Sequence, residues 1–230
     1  MRIAVVSDIH GNRTAFQAVL ADLRRMAPDL IPHGGDLADG GPGPAEIVDQ
    51  IRDHGWPGVL GNVDEMLFNP AALITPLAAV EQIAAATRET LGETRLAWLG
   101  GLPMIQTHDA LALIHASPET CWRSPAFEAS DTELEKVYQP LGKPVAVYAH
   151  IHRPFIRAVA RMTVVNTGSV SLSFDGDPRA AYLLLDGVQP EIRRVEYDVN
   201  KEIQAIRDRK MPFADWLAKI LESATFHMPA

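Results

Sequence analysis

The chain has 230 residues, enough for one domain with a sizeable core, and its apolar (47%) and charged (22%) shares are those of an ordinary globular protein. A net charge of -8 argues against a binder of duplex nucleic acid, which needs basic surface against phosphates, but a small phosphorylated ligand such as a nucleotide stays open if metal ions meet its charge. The single Cys121 excludes an internal disulfide, no apolar run reaches the ~18 residues of a membrane span, and the opening MRIAVVSD lacks a signal-peptide core, so a cytoplasmic protein with no membrane partner is expected. Composition leaves the oligomeric state unknown.

In chain order, β-branched runs place strands at residues 2–7, 30–33, 58–60, 111–114 and 145–148, then at 155–159, 162–165, 180–185 and 193–197. Between the first two, Phe16, Val19, Leu20, Leu23 and Met26 repeat at helical spacing; further helices are expected at 45–54 and at 77–99, where Leu77, Val80, Ile83 and Ala84 form a stripe. Up to about residue 155 strands alternate with helices, the signature of an α/β class. Beyond it strands follow one another, with turn signals such as DGDP at 175–178, so antiparallel pairing and mixed sheets are expected. Phe213, Trp216, Leu217, Ile220 and Leu221 make a C-terminal helical segment (200–230) that docks on the core. No repeat or linker divides the chain, so residues 1–230 read as a single domain.

Polar side chains gather where the apolar runs stop. SDIHGN follows the first strand with Asp8, His10 and Asn12; GGDLADGG sets Asp36 in a glycine-rich turn; GNVDE supplies Asn62 and Asp64 in another; LIHASP ends a strand on His115; AHIH supplies His150 and His152. Five strand-like segments thus deliver metal-capable groups at one end, the end where α/β sheets gather ligands. Each has a plain alternative: Asp8 as a helix cap, Asn62 and Asp36 as turn residues, either late histidine as a structural one. Their joint occurrence favours chemistry. Four imidazoles, two carboxylates and an amide exceed what one tetrahedral zinc takes from protein, and suit two ions sharing a carboxylate. His33, His54, His108 and His227 lack such a setting and read as surface or supporting residues.

The ordered set DIHGN (8–12), GD (35–36), GNVD (61–64), His115 and AHIH (149–152) resembles the motifs of the calcineurin-like dinuclear metallophosphoesterases. NTGSV (166–170) followed by DGDPRAAY (175–182) resembles the ending of their small prokaryotic phosphodiesterase branch, and the likeness runs to about residue 200. The resemblance implies an α/β (α+β) fold, a four-layer αββα sandwich of two mixed β-sheets flanked by helices. It implies one metal on Asp8, His10, Asp36 and His152, and a second on Asp36, Asn62, His115 and His150, with Asp36 bridging. Manganese is the expected metal, with iron, zinc, nickel and cobalt as alternatives.

The chain also departs from that pattern. Val63 stands where many relatives carry a histidine that protonates the leaving group, and Asp39-Gly40-Gly41 stands where phosphoprotein phosphatases have Asp-Arg-Gly. Ala149 and Ala116 replace glycines, which affects packing only. Direct attack by a metal-bridging hydroxide on a phosphodiester is the expected reaction, with Asp64 as a supporting group and Asn12 and Arg13 as candidate phosphate contacts. The alternatives are a phosphomonoesterase, a nucleotide pyrophosphohydrolase, or a catalytically silent binding scaffold. The long insert at 65–110 reads as a lid over the site, with core packing as its plainer role.

Overall fold

The computed structural model describes residues 1–73 and 77–229. Its first elements are β1 (Arg2–Val5), α1 (Arg13–Met26), α2 (Pro44–Asp53), α3 (Asn62–Phe68) and α4 (Ala78–Gly100). There follow β2 (Ile105–His108), β3 (Leu111–Ile114), α5 (Asp131–Tyr138), β4 (Val145–Tyr148), β5 (Phe155–Val159) and β6 (Met162–Asn166). The chain continues through β7 (Ala180–Asp186), β8 (Gln189–Val195), α6 (Val199–Asp208) and α7 (Ala214–Ser223).

Two sheets result, in orders β1-β7-β8 and β2-β3-β4-β6-β5. The second is mixed: β3, β4 and β6 run parallel, with β2 and β5 antiparallel at its edges. In the first, β7 pairs antiparallel with β1 and β8, and single parallel bridges extend it from Ile3 to Leu30, from Val6 to His33 and from His33 to Gly58.

Side-chain alternation along the strands builds the layers. Ile3 and Val5, with Leu183 and Leu185, face Leu111, Leu113, Val145 and Val147 and fill the space between the sheets. The intervening residues Ala4, Val6, Tyr182 and Leu184 face outward onto Phe16, Val19 and Leu23 of α1 and Ile47 and Ile51 of α2. On the far side, Ala146, Tyr148 and Val164 pack against Leu134 and Tyr138 of α5. A fourth cluster joins Ile83 of α4 to Ile203 and Ile206 of α6 and Leu217 and Leu221 of α7. The result is the expected pair of sheets flanked by helices.

Several expectations are corrected. The segments at 30–33 and 58–60 make only single bridges rather than strands, and the strand expected at 193–197 lies at Gln189–Val195. GNVDE is the start of helix α3 rather than a turn. The helix expected at 77–99 is broken at Gly92, whose φ of 67° and ψ of 170° are not helical. Strand β2 falls within the expected insert 65–110, of which residues 74–76 lie outside the described residues. The C-terminal segment forms two helices, α6 and α7. No described helix is long and apolar enough to cross a membrane.

His33 is fully buried, not on the surface, and neither ring nitrogen has a hydrogen-bond partner. Its ring lies against Gly58, where a Cβ would overlap it. Burial pushes the imidazole down to about 3, so it is neutral in the fold. Below the unfolded value near 6.5 the unfolded chain binds a proton that the folded chain does not, so this residue withdraws stability as pH falls. Urea denaturation of metal-free protein should therefore show a stability loss between pH 7.5 and 5.0 that is about 2 kcal/mol larger for the wild type than for His33→Gln. Equal losses in the two proteins would refute that assignment.

Candidate metal centre

The strand ends turn sharply into the site. Asp8, His10, Asp36, His150 and His152 all have positive φ, between 48° and 67°, a region that costs non-glycine residues about 1–3 kcal/mol each. Backbone hydrogen bonds hold them there: Asp8 N–H donates to Gly35 O (3.0 Å), His10 N–H to Asp36 O (3.0 Å) and Ala149 N–H to His115 O (2.8 Å). Ser169 adds its hydroxyl, which donates to the Asp8 carbonyl at 2.8 Å. Two glycines permit the crossing. Gly35 sits at φ 88°, and a Cβ on Gly61 would overlap the Asp36 carboxylate.

The side chains converge on Asp36. Ligand atoms of Asp8, His10, Asp36 and His152 lie within 4.8 Å of one another, all buried. On the other side, His115 Nε2 lies 3.4 Å from Asp36 Oδ2 and 2.9 Å from Asn62 Oδ1, and His150 Nδ1 lies 2.9 Å from the same amide oxygen. Asp36 Oδ1 also accepts from the Val63 N–H at 3.0 Å. All seven residues singled out in the sequence therefore meet in two groups that flank one carboxylate.

Three of the rings are oriented from behind. Nδ1–H of His10 donates to Asp39 O (2.7 Å), that of His115 to Gly34 O (2.7 Å) and that of His152 to Leu172 O (2.6 Å). With those protons on Nδ1, the inward Nε2 atoms carry lone pairs whenever the rings are neutral, as in metal-binding imidazoles. Nε2 of His10 and Nε2 of His152 then face each other at 3.3 Å, which is repulsive unless a cation lies between them. Both carboxylate oxygens of Asp8 are buried without a hydrogen bond, although His152 Nε2 comes to 3.1 Å of Oδ1. A buried carboxylate without hydrogen bonds costs several kcal/mol unless nearby positive charge offsets it. The donor set thus fits divalent cations, the charge that would relieve both conflicts.

Electrostatics agree. Burial works against charge on Asp36, yet His115, His10 and His150 hold it well below the usual carboxylate range, and His152 does the same for Asp8. Burial, then the neighbouring His115, pushes His150 down to about 4, leaving its ring neutral and ready to coordinate. Burial opposes a proton on His115 too, but Asp36 prevails and raises it to about 9, so without metal its Nε2 holds a proton that a bound cation would displace. Burial pushes Asp64 up to about 7, with the Asp36 charge adding to it.

Other sequence candidates sit apart from the cluster. Asn12 is a buried cap: its side-chain oxygen accepts from Ala15 N at 2.9 Å, and its amide donates to Ser171 Oγ at 3.1 Å. Arg13 pairs with Glu46 at 3.2 Å and lines a separate surface groove with Gln17, Lys201 and Glu202. Asp64 accepts from the Leu37 N–H at 3.0 Å and so ties down the loop carrying Asp36. The orienting carbonyls of Gly34, Asp39 and Leu172 have no sequence signal, since any residue supplies a carbonyl.

Above the cluster is a cavity of about 320 Å³ with His10, Asp36, Asn62, His150 and His152 at its floor. Val63 and, from α4, Val80 and Ile83 contribute to its walls, as do Phe174, Trp216, Ile220 and Phe226. A surface groove of about 470 Å³ beside Lys143 and Arg161 is larger, but it lies away from the titratable cluster.

Replacing His152 with alanine should lower the metal bound per chain relative to the wild type, read by elemental analysis. Activity should fall by more than the ~10- to 100-fold typical of changes to supporting groups behind a metal ligand. Full metal content with full activity would remove His152 from the centre.

The family profile of the calcineurin-like phosphoesterase superfamily domain matches residues 1–189. An uncharacterized protein of Methanocaldococcus jannaschii is 28% identical over 95% of this chain and 96% of its own. The symmetrical bis(5'-nucleosyl)-tetraphosphatase of Nitrosococcus oceani is 31% identical over 60% of this chain but only 52% of its own length. The crystal structure of a metallophosphoesterase from Sphaerobacter thermophilus shares the fold, with a TM-score of 0.83 at 24% identity over 98% of this chain and all of that one. On the match across residues 1–189, this chain belongs to the calcineurin-like phosphoesterase superfamily.

Proposed function

We propose that this chain is a cytoplasmic phosphodiesterase whose two divalent cations are held by Asp8, His10, Asp36, Asn62, His115, His150 and His152. The observation that carries the reading is the position of Asp36, between a group formed by Asp8, His10 and His152 and a group formed by Asn62, His115 and His150. Manganese is the first expectation for the metal, with iron, zinc, nickel or cobalt as alternatives. Bound cations would neutralise the phosphoryl oxygens and acidify a water placed in line with the scissile bond.

The protein's own part is placement. Carbonyls behind His10, His115 and His152 fix their tautomers, and Asp64 steadies the Asp36 loop. Val63 turns its N–H toward Asp36 while its side chain borders the cavity, so position 63 supplies no proton to a departing oxygen. Loss of a general acid costs ~100- to 10,000-fold where the leaving group needs one. Esters with acidic leaving groups should therefore react best, and a diester presents less negative charge to Asp36 than a monoester dianion does.

A second reading, hydrolysis of a nucleoside polyphosphate, draws on the likeness to the Nitrosococcus tetraphosphatase. Against it, no lysine or arginine lines the cavity among the described residues, leaving a polyphosphate chain without side-chain cations.

Enzyme stripped by chelation and reloaded with Mn²⁺ should cleave bis-p-nitrophenyl phosphate faster than p-nitrophenyl phosphate. It should leave a dinucleoside tetraphosphate largely intact; rapid cleavage of the tetraphosphate would transfer the assignment to the second reading. Val63→His should raise kcat/KM for an alkyl-leaving diester more than for a nitrophenyl diester. A uniform effect on both substrates would mean that leaving-group protonation does not limit the rate.

A further inference from the structure

Resting on the phosphodiesterase reading, we propose that the C-terminal segment forms a subsite for the non-reacting ester arm of the substrate, that this arm is an aromatic ring, and that Phe226 is its stacking residue. The cavity is sharply divided. Its floor holds ionisable side chains, whereas Val63, Val80, Ile83, Trp216, Ile220 and Phe226 give it nonpolar walls. Asp39, which burial raises to about 7, is its only ionisable lining residue outside the seven-residue cluster among the described residues. A ligand that meets the floor with a phosphate must meet these walls with carbon.

The wall is built rather than accidental. Trp216 Nε1–H donates to His227 O at 2.7 Å, and Gly176 N–H donates to Ala224 O at 3.0 Å, so the stretch carrying Phe226 is tied at both ends. Phe174 stacks on His152 with ring centroids 4.5 Å apart and 19° between planes. Phe226 meets Phe174 edge-on at 5.7 Å and 74°. The Phe174 ring is thus occupied by a histidine of the cluster, while Phe226 remains 53% exposed. Its exposed ring continues the aromatic array leading away from the floor. The volume of about 320 Å³ lies at the small end of ligand cavities, suited to a single ring system rather than a long chain.

Among the wall residues, Trp216, Ile220 and Phe226 lie beyond the part of the chain that matches the family profile, residues 1–189, whereas Val63, Val80, Ile83 and Phe174 lie within it. The Trp216, Ile220 and Phe226 side of the subsite is therefore a property of how α7 and the segment after it close over the sheet ends, separate from the motifs that supply the cluster.

The test uses the metal-loaded full chain and two non-hydrolysable probes of equal charge, phenylphosphonate and methylphosphonate, titrated by calorimetry. The wild type should bind the phenyl compound about tenfold more tightly, the scale of one ring stacking on an aromatic side chain. Phe226→Ala should bring the ratio to within about twofold, and Phe226→Tyr, which keeps the ring, should preserve it. A ratio near one in the wild type, or one unchanged by Phe226→Ala, would overturn the assignment. Turnover of bis-p-nitrophenyl phosphate and methyl p-nitrophenyl phosphate separates this inference from the one beneath it. Turnover without a phenyl preference sinks the subsite alone. A Phe226-dependent preference without turnover keeps the ring subsite and sinks the diesterase reading.

Discussion

Two imidazole nitrogens facing one another at 3.3 Å, beside a buried carboxylate with no hydrogen bond, are the constraint on which this structure turns. Both arrangements are unfavourable while the rings are neutral, because lone pairs repel and a desolvated charge seeks a partner. Much of the surrounding architecture serves to keep these groups together despite that cost. The loops carrying Asp8, His10, Asp36, His150 and His152 adopt left-handed backbone geometry and are tied by hydrogen bonds to one another. Strain of this kind persists only where the scaffold over-determines it.

The scaffold is the double layer beneath. Ile3, Val5, Leu183 and Leu185 interlock with Leu113, Val145 and Val147 across the gap between sheets, so β1 and β4 cannot slide relative to each other without opening the core. Because β1 leads into Asp8 and His10, while β4 leads into His150 and His152, sheet-to-sheet packing sets the spacing of the whole cluster. Sheet register and ligand geometry are thus one problem, solved by apolar side chains well below the polar ones.

Much of this was legible in the sequence, and for a physical reason. Strands buried on both faces read as uninterrupted apolar runs, so 111–114 and 145–148 are legible to the residue, and the polar groups at their ends stand out by contrast. Segments that make only a single bridge, such as Leu30 to Ile3, carry the same apolar pattern without forming a ladder, which is why 30–33 and 58–60 were over-read. Helix α3 is only seven residues long, too short for periodicity, and its GNVDE start looks like a turn. Strand β2 alternates between exposed and half-buried positions at a sheet edge, so its composition gives little away. Asn12 and Arg13, at the end of the first motif, are open in the sequence to either a loop-holding or a phosphate-binding role; they begin α1, where one caps the helix and the other meets Glu46. The wall of the cavity was read as helix packing, and Leu217 does pack against Ile203 and Ile206; periodicity alone cannot tell that Ile220 and Trp216 also border an opening.

The division between cluster and wall bears on how such a protein can change. Every side chain proposed to hold metal lies between residues 8 and 152, and five of the seven sit on strained loops where substitution disturbs several hydrogen bonds at once. Phe226 follows α7, on a stretch fastened largely through backbone carbonyls that accept from Trp216 and Gly176. Carbonyl anchors are indifferent to side-chain identity, so this stretch can exchange one ring or alkyl group for another while its path is kept. The reacting end of the molecule is thereby insulated from variation at the recognising end, and a lineage could drift among substrates without first surrendering its chemistry.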